Sequence, residues 1–116
     1  MKDSVLKTKS FRFAVRIVNL YKYLRDDKRE FVLSKQILRS GTSVGAMVRE
    51  AEHSESKADF VHKLAIAQKE INETIYWLEL LKETEYISDT GFEGINADAV
   101  EIIKMLTSSI KPQNQN

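Results

Sequence analysis

Between Phe60 and Leu81 the apolar residues Phe60, Leu64, Ala67, Ile71, Ile75, Leu78 and Leu81 recur at intervals of 4, 3, 4, 4, 3 and 3. That is the repeat of a helix with one face against a core, held for about six turns. A strand would need period two, and a helix this long must find other helices to cover its stripe. The only proline is Pro112, so nothing upstream forbids helix, and the prevalence of Leu, Lys, Glu, Ile and Ala favours it. Ser56, three residues ahead of Asp59, has the form of an N-cap with an acidic first turn.

Three further segments share the pattern. In the first, Phe11, Ala14, Val18 and Tyr21 form a stripe widened by Ile17 and Leu24, with Arg12, Arg16, Lys22 and Arg25 outside it. Asp26 to Glu30 reads as a charged turn. A second helix carries Leu33, Ile37, Ser40, Val44, Val48 and Ala51 on one side. Gly41 and Gly45 within it each cost about 1 kcal/mol against Ala. They lie four apart on one face, which with Ser40 and Ala46 allows another backbone to come close; the competing reading is a loop that splits the segment. Tyr86 to Gly94 reads as the longest loop, and a fourth helix is expected from Asn96 through Ile102, Leu106 and Ile110. Helices at about 8–26, 32–53, 57–84 and 96–110, followed by a disordered tail at 111–116, predict a single all-α domain, an antiparallel up-down four-helix bundle. The 116 residues leave no room for a second domain.

Composition narrows the chemistry. With no cysteine there is no thiol nucleophile, disulfide or Cys-ligated metal. No apolar run is long enough to cross a bilayer and the first residues carry no signal-like apolar segment, so the expected location is the cytoplasm, away from membranes. Glu50 with His53, and Asp59 with His62, have the i, i+3 spacing of metal-binding helices, but the other helices offer no core carboxylate to complete a site. Ser40 and Ser43 have no histidine within their helix to act as base. The chain therefore reads as a non-enzyme without metal or cofactor.

The formal net charge of +1 hides a division. Residues 1–49 hold 12 Lys/Arg against 4 Asp/Glu, and residues 50–116 hold 6 against 13. Lys7, Lys9, Arg12, Arg16, Lys22, Arg25, Lys28, Arg29 and Lys35 are the candidate phosphate ligands for RNA or DNA. The alternative is a protein-interaction scaffold that uses the acidic half. On the third helix Ile66, Trp77 and Leu80 form a second stripe, which suits either a subunit interface or packing beneath the ends of neighbouring helices. Opposite charge in the two halves suits a head-to-tail contact between copies.

Residues 33–51 (LSKQILRSGTSVGAMVREA), 56–60 (SKADF), 62–70 (HKLAIAQKE) and 73–81 (ETIYWLELL) closely resemble the four-helix bundle proteins encoded in intervening sequences of large-subunit ribosomal RNA genes. The resemblance implies a continuous second helix and a ring-like homo-oligomer, a pentamer. Accessory variability proteins of diversity-generating retroelements are similar to that family, which implies nucleic acid and a reverse transcriptase as partners. On matching positions it singles out Gln36, Arg39, Ser40, Ser43 and Glu50 of the second helix, and Asp59, Phe60, Lys63, Glu70, Glu73 and Trp77 of the third. Met47 stands where the family usually has Asn. If the helices pack antiparallel, Glu50, Glu70 or Glu73 comes within reach of Arg39, and with Ser43 these residues are expected to form a buried polar network; the alternative is an ordinary solvated Arg39.

Overall fold

The computed structural model describes residues 2–111, as four helices: α1 (Lys2–Asp26), α2 (Leu33–Glu52), α3 (Lys57–Glu83) and α4 (Asp89–Ile110). Consecutive helices pack side by side and α4 closes against α1, while the diagonal pairs make no close backbone approach. The result is an up-down bundle with extents of 48 × 25 × 20 Å. Of the expected tail at 111–116, residues 112–116 lie outside the described residues.

The α2 glycines show why a helix with poor local propensity persists. A Cβ at Gly41 would stand 2.7 Å from Ile17 Cγ1, and one at Gly45 would stand 3.2 Å from the Ser10 carbonyl oxygen. Helix α1 occupies the space that side chains would need, and α2 runs unbroken through both positions. Burial gained across this close contact outweighs the intrinsic cost of two glycines.

The same contact corrects the expected face of α1. Its core residues are Leu6, Phe13, Ile17 and Leu24, with Ser10 buried among them, whereas Phe11 is 54% exposed. Ile17 and Leu24, the edge of the expected stripe, are the centre of the real one. A hydroxyl at the buried position hid the period, because Ser10 is small where Gly45 approaches and satisfies its own Oγ on the Lys7 carbonyl at 3.2 Å.

In α3 the expected N-cap is present, with the Asp59 amide donating to Ser56 Oγ at 3.1 Å. One core position differs: Thr74 is fully buried and Ile75 sits at the flank. The Thr74 hydroxyl is hydrogen bonded to Ser40 Oγ at 2.9 Å and to the Glu70 carbonyl at 2.8 Å, a polar tie between α2 and α3.

Helix α4 begins seven residues before Asn96. The α3 terminus reverses in a Schellman turn, with Tyr86 N–H on the Leu81 carbonyl at 2.9 Å, Glu85 N–H on the Lys82 carbonyl at 3.0 Å, and Glu85 at φ 67°. Ser88 then caps α4 by accepting the Gly91 amide at 3.0 Å. The Ser, Asp, Thr and Gly that resemble a loop are thus a cap and a first helical turn.

Candidate nucleic-acid interface

The nine expected phosphate ligands do not form one face. A helix distributes side chains around its axis, so cations close in sequence reach different neighbours. Lys9 and Arg16 turn toward α4, where Glu101 lies 3.2 Å from the Lys9 ammonium and Asp98 lies 2.8 Å from the Arg16 guanidinium. Lys7 turns toward α2 and meets Glu52 at 3.3 Å. Arg25 pairs with its neighbour Asp26 at 2.6 Å. That bidentate contact raises the Arg25 pKa, and the Arg25 guanidinium holds the Asp26 carboxyl below the usual carboxylate range. The Lys7, Lys9 and Arg16 pairs are partly exposed and contribute at most about 1 kcal/mol each. Together with the Arg25 pair, their larger effect is to neutralise four of the nine cations.

Arg12, Lys22, Lys28, Arg29 and Lys35 are exposed and make no ion pair among the described residues. Arg12 and Lys22 lie on the outward side of α1. Lys28 and Arg29 occupy the α1–α2 connection, and Lys35 lies in the first turn of α2. The Lys28 ammonium sits 6.0 Å from the Tyr23 ring centre and the Arg29 guanidinium 5.6 Å from that of Phe31.

Two groups were not legible as part of the surface. Arg49 stands over the Phe11 ring at 5.3 Å, beside a shallow groove between α1 and α2 lined by Ala14, Thr42, Gly45 and Ala46. Sequence reading places Phe11 in the core, so the pairing has no local signal. Glu30, read as part of a charged turn, is buried and accepts the amides of Val32, Leu33 and Ser34 at 3.3, 3.0 and 2.7 Å. This cap fixes the path of the segment that carries Arg29 and Phe31.

The polar network is divided and faces solvent. Arg39 is 51% exposed; it bonds Glu73, reaches Glu70 at 3.4 Å and Gln36 at 3.5 Å. Ser43 Oγ donates to the Arg39 carbonyl at 2.7 Å rather than meeting the guanidinium. Glu50 lies apart, 3.3 Å from the Lys63 ammonium. The expectation of a buried network fails because the long Arg39 side chain lies along the α2–α3 seam with its head in water.

Trp77 donates from Nε1 to Glu73 Oε2 at 3.0 Å and packs on the edge of the core. Ile66 and Leu80 share its side of α3 and are partly buried. Tyr76, edge-on to Trp77 at 5.1 Å, is the outward member of the pair and is 56% exposed.

Glu50 and Asp59, the carboxylates of the two spaced pairs, both face the Lys63 ammonium, at 3.3 and 3.9 Å. Among the described residues no three His, Cys, Asp or Glu side chains are grouped for a metal, and no helix is long and apolar enough to cross a membrane.

A closed helical bundle, with unpaired cations along one helix and the connection that follows it, defines a small four-helix-bundle protein with a charge-patterned surface. The chain belongs to the 23S rRNA-intervening sequence protein family, whose match covers residues 2–108. It is similar to a crystal structure from Bacteroides thetaiotaomicron, a protein of unknown function from the S23 ribosomal protein family. The two share 63% identity and a TM-score of 0.95, over 97% of this chain and 100% of the other. No curated protein matches the chain.

Proposed function

We propose that the protein is a non-enzymatic, homo-oligomeric four-helix bundle that binds nucleic acid by its phosphates. The observation that carries this reading is the sorting of the cations. The fold neutralises Lys7, Lys9, Arg16 and Arg25, and leaves Arg12, Lys22, Lys28, Arg29 and Lys35 without carboxylate partners among the described residues. Unpaired cations on a rigid surface follow a polyanion and release its counterions without reading base sequence. The family name, which refers to 23S ribosomal RNA, agrees in chemistry.

Filter binding to RNA and to duplex DNA across a salt series tests it. Affinity should fall linearly on logarithmic axes as salt rises, and Arg12→Ala or Lys22→Ala should each reduce the slope by about one. Lys9→Ala, which removes an already paired cation, should change it less. Absence of binding at about 50 mM salt would overturn the reading.

Assembly is supported by the apolar flank of α3, where Ile66, Trp77 and Leu80 are only partly covered within one chain and Tyr76 extends the surface outward. An aromatic anchor at the centre of such a patch suits an interface. Light scattering should report a multiple of 13.4 kDa, about 67 kDa for the pentamer, and Trp77→Glu should shift it toward monomer with helical circular dichroism retained. A monomer at micromolar concentration would remove the interface. An oligomer without nucleic-acid binding would favour the protein scaffold instead.

A further inference from the structure

The connection between α1 and α2 exposes more apolar surface than a turn requires. Phe31 is 48% exposed, Val32 is 70% exposed, and Tyr23 in the last turns of α1 is 41% exposed. A turn needs only a chain reversal, which polar residues supply at lower cost in water. These side chains nevertheless stand on well-held backbone. Asp27 and Lys28 donate to the Tyr23 carbonyl, Glu30 donates to the Leu24 carbonyl at 2.9 Å, and Arg29 makes the reversal at φ 57°. On the other side the Glu30 carboxylate holds Val32, Leu33 and Ser34 by their amides. Phe31 lies between two anchored neighbours, so presenting its ring to a partner costs little ordering entropy.

Each exposed ring also has a cation near it, Arg29 for Phe31 and Lys28 for Tyr23. An exposed aromatic ring with a cation over one face supplies the two parts a nucleotide needs, a ring on which a base can stack and a charge for its phosphate. The two pairs are unequal. Glu83, Glu85 and Asp89 share the depression around Tyr23 and Lys28, and their charge opposes a phosphate there. The Phe31 and Arg29 pair lies outside that depression and leads.

We infer that the α1–α2 connection is a stacking platform for unpaired bases, with Phe31 as the principal ring, Tyr23 as the second, and Arg29 and Lys28 as the adjoining phosphate ligands. The inference rests on the nucleic-acid reading above and names its substrate class as single-stranded. Duplexes keep their base faces stacked inside, so only phosphate contacts would remain for them.

Fluorescence anisotropy with the full chain at fixed salt tests this. The probes are a labelled single-stranded RNA of about 12 nucleotides, an abasic strand of equal length and charge, and a duplex of the same length. The single strand should bind more tightly than either control. Phe31→Ala should lower its affinity by about 5- to 150-fold, toward the abasic level, with duplex affinity and salt slope unchanged, and Phe31→Trp should retain it. Equal binding of the intact and abasic strands needs no variant to read; that result would overturn the stacking platform while leaving the phosphate reading in place. Equal losses for strand and duplex in Phe31→Ala would overturn it too. Failure of all three probes to bind would remove both readings.

Discussion

The Glu30 carboxylate accepts the Ser34 amide at 2.7 Å, closing the N-terminus of α2 from four residues upstream. Val32, at the N-cap position, contributes no side-chain bond, so Glu30 alone serves the amides of residues 32–34. Its negative charge also meets the positive end of the helix dipole. Glu30→Ala should therefore cost about 1–2 kcal/mol in a urea melt. A loss below about 0.5 kcal/mol would show that water replaces the carboxylate.

Two glycine replacements should differ in sign. At Gly41 a new methyl would meet Ile17 Cγ1 at 2.7 Å and Cγ2 at 2.8 Å, and Ile17 is a fully buried, β-branched residue with nowhere to turn. Overpacking of about 1–3 kcal/mol outweighs the roughly 1 kcal/mol gained in helix propensity, so Gly41→Ala should destabilise. At Gly94 the methyl would meet only the Arg16 guanidinium, with Nη2 at 2.7 Å, the end of a half-exposed side chain that can swing away from Asp98. Gly94→Ala should be neutral or stabilise by up to about 1 kcal/mol. Thermal melts of the two variants compare them directly, and a stabilised Gly41→Ala would contradict the close approach of α1.

Glu85 ends α3 in the left-handed region at φ 67°, where a side chain is strained and glycine is not. Its carboxylate makes no hydrogen bond or ion pair among the described residues to offset the strain. Glu85→Gly should raise stability by about 0.5–1 kcal/mol, less whatever entropy the unfolded chain gains. A fall in denaturation midpoint would show that the turn does not set this cost.

Arg39→Ala separates a surface pair from a buried one. The side chain is half exposed, so its loss should cost no more than about 1 kcal/mol, against the 3–5 kcal/mol of a buried partner left stranded. A chemical melt decides between these magnitudes. The loss should shrink further in high salt, which screens an exposed pair.

Local features carried much of the fold into the sequence. The stripe from Leu64 to Leu81 set α3 against a core, Ser56 marked its start, and spacing alone put Gly41 and Gly45 on one face. Each depends on residues within a turn or two of one another, and helical periodicity expresses them without knowledge of partners. Tertiary structure decided what depended on distant residues. Helix α1 is apolar on more than one side, and the approach of Gly45 to Ser10 selected Phe13 for the core and left Phe11 in water. The start of α4 was obscured by Gly91 and Gly94, which suggest a loop until Ser88 is seen capping the helix. The candidate surface was the least legible part. Lys9 meets a carboxylate 92 residues away and Arg16 one 82 residues away, so composition could count the cations but only packing could determine which remain unpaired. Coulomb attraction acts through space, and the order of residues along the chain does not specify those distances.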